Sequence, residues 1–299
     1  MSKEDFVQSV MTIDGMDDSA ALRRMYEIQS EALALLPAAF PAIAEAAKQV
    51  ARVIGEGGRL IYCGAGSSGL IAVQDGAELP GTFGIDPAQI VFLLAGGLDK
   101  AHNLLGHVED DEAAAFREVE ALGRLSKDVV IAISASGSTP YTCAAAQKAK
   151  EGGACLIGIS NRVGAPLLKI VDVPILVPTP EEAVTGSTRM AAGTVQKCIL
   201  GLISTLAHTR LGYVYRGEMV NLRADNAKLR RRAVDIVRRA TGVTEENAIR
   251  CLDQAGSSVK NAILLAEGAR NPEEAQRLLT ATSGQIAPAV SRLKNGPNM

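Results

Sequence analysis

The sequence predicts an α/β fold: a parallel sheet of about five strands covered on both faces by helices, followed by a small all-helical C-terminal domain. Three observations predict it. Five short apolar runs, at 59–63, 90–94, 129–133, 154–159 and 173–177, are each bounded by Gly, Pro, Ser or Asp. Each run is followed by a loop or a segment of helical period, the order that builds parallel strands buried on both sides. Hydrophobic residues make up 47% of the 299 residues, enough for a sizeable core.

Taken in order, the elements follow from the same patterns. Ahead of the first strand, Ala, Leu and Ile recur at helical spacing from Ala20 to Ile54. After the last strand, long helices are expected over about 182–211 and about 217–240. The basic run from Lys228 to Arg232 reads as a solvated helix face. Short helices follow Thr241 and Gly242. Thr244 is placed to cap one of them, with acidic residues in its first turn. The stretch Ala255-Gly-Ser-Ser258 separates it from the next, and Pro272 suits the first turn of another. Two domains are expected, 1–240 and 241–299, with the tail from Asn295 frayed.

Composition excludes several function classes. Lys plus Arg total 31 and Asp plus Glu total 33, for a net charge of −2. Nucleic-acid binders carry a basic excess or stripe, so no nucleic-acid partner is expected. Aromatics are 3% with no Trp, which argues against an aromatic-lined sugar groove or a base-stacking platform. No uncharged apolar run approaches ~18 residues, and the first ten residues lack a signal-peptide core, so no membrane partner is expected. Five scattered cysteines without a C-x-x-C pair fit reduced thiols in a cytoplasm. The histidines His102, His107 and His208 form no metal-ligand pattern, so no metal is expected.

Three loops could hold a phosphate. The first strand runs into Gly64-Ala-Gly-Ser-Ser-Gly69, where Gly66 and Gly69 let a backbone approach a ligand and Ser67 and Ser68 add hydroxyls. Helix–strand packing explains such glycines equally well. The stretch matches G-x-G-x-x-G, but no acidic residue ends the second strand to hold a ribose. The third strand runs into Ser134-Ala-Ser-Gly-Ser-Thr139, so Ser134, Ser136, Ser138 and Thr139 cluster around Gly137 before Pro140 opens a helix. Hydroxyls and backbone N–H groups bind phosphate without any Lys or Arg. The third cluster is Thr185-Gly-Ser-Thr-Arg189. There Ser187 and Thr188 offer hydroxyls, and Arg189 could pair with an anion or brace a neighbour.

These loops on an alternating α/β chain resemble the sugar isomerase (SIS) domain, a three-layer α/β/α fold that binds phosphosugars. The stretches Asp75-Gly-Ala-Glu-Leu-Pro80, Thr82-Phe-Gly84, Ala95-Gly-Gly97, Val108-Glu-Asp-Asp111, Thr139-Pro-Tyr141 and Ala192-Gly-Thr194 join them. Their order and spacing resemble the N-acetylmuramic acid 6-phosphate etherase family over roughly residues 10 to 270. The resemblance implies cleavage of the ether between C3 of the sugar and D-lactate, with no metal or organic cofactor. It implies that Glu78 is the general acid and Glu109 the base, and that the protein is a homodimer. From the residues alone, Glu78 could be an ordinary exposed carboxylate before Pro80, and Glu109 could charge the start of the next helix. An aldose–ketose isomerase of phosphosugars, which His107 could assist, and a non-catalytic sugar-phosphate sensor are the alternative readings.

The departures from the family pattern cluster at the loops. Leu70 and Ser138 stand where the family usually has Arg, Ala191 where it has Lys, and Leu79 where it has Cys. Three cations are thus missing near a site expected to take a phosphate and a carboxylate. Either the substrate carries less negative charge, or Arg59, Arg162 or Arg189 substitutes.

Overall fold

The computed structural model describes residues 12–222 and 227–295. The first ten residues, read above for a leader, and the tail beyond Asn295 lie outside them.

Helices Asp18–Ala34 (α1) and Phe40–Gly55 (α2) come first, parted by a 3-10 turn at Leu36–Ala39 that contains Pro37. Asp17 caps α1 by accepting the Ala20 N–H at 3.0 Å. By length and composition alone Asp18–Gly55 would suffice to cross a membrane, with an 18-residue window of mean hydropathy 1.2. It is instead two amphipathic pieces. The second, α2, buries Ile43, Ala46, Ala47, Val50 and Ile54, exposes Lys48 and Arg52, and packs on the sheet.

Strands Leu60–Gly64 (β1), Ile90–Leu94 (β2), Val129–Ile133 (β3), Cys155–Ser160 (β4) and Val173–Leu176 (β5) form one parallel sheet in the order β2-β1-β3-β4-β5. All five expected strands are present, each displaced by a residue at most. β1 and β3 are buried at every position. Ile61, Cys63, Val130 and Ala132 pack beneath helices Glu112–Ala121 (α4) and Pro140–Glu151 (α5). Alternate residues, such as Leu60 and Ile131, point to the other face, and α2 contacts β1, β3 and β5. Helix Gly66–Phe83 (α3) follows β1, and the short helix Leu167–Ile170 (α6) precedes β5. β2 lies on one side of β1 and β3 on the other. The chain therefore reverses its winding between β1 and β3, and the loops after them diverge at the carboxyl edge, where open α/β sheets take ligands.

The chain forms two compact units. One holds the described residues up to Gly76 with Ile90–Ile203; the other holds Ala77–Gln89 with the described residues from Ser204 onward. The division lies at Ile203 rather than near residue 240. The reason is helix Ala227–Thr241 (α8), whose Ala233, Val234 and Val237 share a core with Leu252, Ile263, Leu279 and Val290. Those residues come from helices Glu245–Gln254, Val259–Ala266, Pro272–Ala281 and Ile286–Asn295 (α9 to α12). Thr244 caps α9 as expected, Ser258 caps α10, and Asn271 caps α11 just ahead of Pro272.

Two expected helices are shorter than their apolar patterns. The helix expected from about residue 182 is Ala191–Arg210 (α7), and residues ahead of it form a loop turned at Gly186, φ 81°. The helix expected from about residue 217 gives way to strands Val214–Tyr215 (β6) and Glu218–Met219 (β7). Arg216 and Gly217 join them with φ values of 51° and 78°, the positive pair that a two-residue hairpin loop requires.

Candidate active site

The glycines of the first loop do different things. A Cβ on Gly64 would lie 3.0 Å from the Gly69 Cα, and one on Gly69 would lie 2.4 Å from the Leu94 Cδ1. Those two glycines let α3 start hard against β1 and β2. Gly66 is different. Its φ of 53° is left-handed, and a Cβ there would stand 2.6 Å from the Glu109 Oε1. The Glu109 carboxylate therefore lies directly over the start of α3. Ser67 is half-buried and Ser68 buried on its first turn.

Glu109 reaches this place from a 3-10 turn, Gly106–Asp110. It does not charge the next helix. That role belongs to Asp111, whose Oδ1 accepts the Ala114 N–H at 2.8 Å. Burial, and then the neighbouring charge of Asp110, push the Glu109 carboxyl above the usual glutamate range. His107, in the same turn, is exposed. Glu78 is exposed near the end of α3, which runs on through Pro80 to Phe83, and it belongs to the other compact unit.

The second loop is held by its own hydroxyls. Ser134, 2% exposed, bonds Thr139 Oγ1 at 2.8 Å and accepts the Gly137 N–H at 3.0 Å. Ser136 Oγ accepts the Ser138 N–H at 3.2 Å and its hydroxyl at 3.1 Å. Gly137, φ 65°, is pressed so close that a Cβ would be 2.3 Å from the Ala165 Cβ. Ser134 and Gly137 thus shape the loop, and Ser136, Ser138 and Thr139 lie at its surface.

Glu182 organises the third loop. Its two carboxylate oxygens accept the Ala191 and Ala192 N–H groups at 2.9 and 3.1 Å, which anchors the first turn of α7. Ser187 is half-buried in the turn that follows, while Thr188 and Arg189 are exposed.

A cavity of about 390 Å³ joins the second and third loops. Ser136, Asn161, Arg162, Glu182, Ser187 and Thr188 line it. Neither the first loop nor Glu109 does. Asn161 is fixed from beneath: its Nδ2 donates to the Val177 carbonyl at 3.1 Å, and Gln196 Nε2 donates to its Oδ1 at 2.9 Å. Of the three substitute cations, Arg162 lines the cavity and Arg189 does not. Arg59 is excluded by the fold. It stands at the opposite end of β1, paired with the buried Asp128 at 2.6 Å and bonded to the Leu122 and Arg124 carbonyls. Sequence reasoning missed Glu182 and Asn161. The cap acts from nine positions ahead of its helix, and the partner of Asn161 is 35 residues away.

Hydroxyl-rich loops at the carboxyl edge of this sheet define a SIS-domain protein, and residues 26–161 match the SIS domain model. The chain belongs to the N-acetylmuramic acid 6-phosphate etherase family. It is 40% identical over 282 residues to the N-acetylmuramic acid 6-phosphate etherase of Caldanaerobacter subterraneus, covering 94% of this chain and 92% of that one. To the enzyme of that name from Deinococcus radiodurans it is 39% identical, covering 91% and 89%. Among solved structures it is similar to a phosphoheptose isomerase from Francisella tularensis, at 21% identity and a TM-score of 0.49, covering 64% and 97%.

Proposed function

We propose that this protein is a carbon–oxygen lyase acting on N-acetylmuramic acid 6-phosphate. It would release D-lactate and N-acetylglucosamine 6-phosphate during amino-sugar recycling in the cytoplasm. The observation that carries the reading is the Glu109 carboxylate lying over Gly66 at the carboxyl end of β1, with its pKa raised by burial. In the open-chain aldehyde the C2 proton is acidic. Glu109 takes that proton, the C2–H pair forms the C2=C3 bond, and the C3–O bond breaks. Glu78, as the acid, protonates the departing lactate oxygen. Water then adds at C3 and a proton returns to C2. A base with a raised pKa is the stronger base while it stays ionised.

Ser136, Ser138, Thr139, Ser187 and Thr188 take the phosphate through hydroxyl and backbone donors, with Ser67 and Ser68 on the first loop. Arg162 supplies a cation at the cavity in place of those missing at Leu70, Ser138 and Ala191. The same reading includes a homodimer. Leu22 and Tyr26, one turn apart on α1 and 64% and 70% exposed, are an apolar pair for a second copy to cover. Light scattering checks this, and Tyr26→Glu should give the monomer.

The test is D-lactate release in deuterated water from purified protein and N-acetylmuramic acid 6-phosphate. Lactate release with deuterium at C2 of the sugar product, both lost in Glu78→Gln and Glu109→Gln, supports elimination by two carboxyls. Deuterium exchange without lactate sinks the etherase reading and favours another 3-substituted sugar or an isomerisation.

A further inference from the structure

Helix α3 changes its support partway along. Up to Gly76 it rests on the sheet. The Tyr62 hydroxyl donates to the buried Asp75 Oδ2 at 2.6 Å, and a Cβ on Gly76 would lie 2.6 Å from the Phe92 Cε1. From Ala77 onward the helix belongs to the helical unit. Glu78 lies just past that change. Pro80 has no N–H to give the Gly76 carbonyl, so the helical ladder has a gap at the turn that carries Glu78. A helix interrupted there does not fix the direction of its own last turn. What holds that turn fixes it.

The helical unit holds it by a ring and by the backbone. The Phe83 ring lies flat on the His208 imidazole, with centroids 4.4 Å apart and planes 2° apart. His208 is fully buried near the end of α7, and its Nδ1 donates to the Ser204 carbonyl at 2.7 Å. Among the described residues its Nε2 meets no hydrogen-bond partner, so that edge of the ring is held by packing. The Tyr213 ring approaches the imidazole at 5.7 Å. Asn221 takes the backbone. Its Nδ2 donates to the Phe83 carbonyl at 2.9 Å, meeting an acceptor that a helix C-terminus leaves unpaired. Gly84 closes α3 at φ 64°, with its N–H on the Pro80 carbonyl at 3.0 Å. It sits so near Asn221 that a Cβ would lie 2.5 Å from the Asn221 carbonyl oxygen.

We propose that Asn221 and His208 are positioning residues for Glu78: by fixing the last turn of α3 they aim its carboxyl at the departing lactate oxygen. This rests on the proposed role of Glu78 as the acid. Neither residue is assigned a step of its own. Proton transfer needs donor and acceptor within about 2.6–3.2 Å, so a last turn left loose disables the acid. Glu109 stands on the other unit, so the base is spared.

Two leaving groups test this. Lactate needs a proton to depart, whereas chloride departs without one from the 3-chloro-3-deoxy analogue of N-acetylglucosamine 6-phosphate. Asn221→Asp keeps the shape but has no N–H to donate, and His208→Ala removes the stacked face. Both should lower kcat for lactate release about 10- to 100-fold, with KM within about twofold. Both should leave chloride elimination within about twofold of wild type, the pattern expected of Glu78→Gln. His208→Phe, which restores a flat ring against Phe83, should recover most of the lactate rate lost in His208→Ala. Rates are read below the melting transition of each variant, and Asn221→Asp decides alone should His208→Ala not fold. The proposal alone is overturned if wild-type protein releases lactate and the folded variants match it. It is equally overturned if chloride elimination falls in step with lactate release, the mark of a general loss of structure. Wild-type protein that eliminates neither group overturns the etherase reading and the proposal with it.

Discussion

Replacing Gly66 by Ala separates backbone strain from displacement of the Glu109 carboxylate. A Cβ at Gly66 would stand 2.6 Å from the Glu109 Oε1, and ordinary contact begins at 3.4 Å, so the carboxylate must retreat by about 0.8 Å. A misplacement of about 1 Å in a reacting group costs on the order of 100-fold in rate. The left-handed φ adds ~1–2 kcal/mol of strain for any residue with a Cβ. In a unit of this size that lowers Tm by roughly 2–8 °C. The control is Gly123→Ala, at φ 76° with nothing within 4 Å of a new Cβ. It carries the strain without touching Glu109. The expected result is a similar Tm loss in both variants, with kcat down ~10- to 100-fold in Gly66→Ala alone and KM within about twofold. Lactate release under saturating substrate, beside thermal melts, reads both quantities. Equal kcat in Gly66→Ala and Gly123→Ala would refute the assignment of Glu109 to the reacting centre.

Other perturbations follow from the same geometry. Activity that needs Glu109 ionised falls as pH drops through its raised pKa, so Asp110→Asn, which removes the lesser of the two causes, should move the acid limb of kcat/KM to lower pH. Glu182→Ala frees two N–H groups at the start of α7; it should cost about 1–2 kcal/mol in urea unfolding and raise KM several-fold by loosening Ser187 and Thr188. Arg59→Leu strands the buried Asp128 and should cost about 1–3 kcal/mol, discounted because Arg59 is partly exposed, while kcat/KM stays unchanged at the far end of the sheet.

The sheet was legible because its central strands β1 and β3 are buried at every position, and a continuous apolar run bounded by turn residues has few other structural solutions. The β6–β7 hairpin was not legible. Two-residue strands carry no period, and only Arg216-Gly217 marks the turn. The start of α7 was hidden for a different reason. Ser, Thr and Gly at 185–188 did not break the apolar pattern read across them, and the residue that sets the true N-terminus, Glu182, reaches back across the loop. Local capping rules look three positions ahead, not nine.

The site divides along the same line. Sequence spacing placed the glycines and hydroxyls of the first two loops at strand ends, because a strand-to-helix turn is a local event. It could not say which glycine packs and which makes room, since both need the same absent Cβ. Only the approach of Leu94 to Gly69 and of Glu109 to Gly66 distinguishes them. The missing cations pose the same problem at longer range. Arg59, Arg162 and Arg189 are equivalent as charges in a list, but a parallel sheet has two ends, and only the carboxyl end gathers the loops. Arg59 precedes its strand and Arg162 follows one, so strand direction alone removes the first and retains the second. Among parallel strands, then, a candidate ligand residue gains weight when it follows its strand; Glu109, which follows none directly, was named only through the resemblance, and the structure brings its carboxylate close to a left-handed glycine.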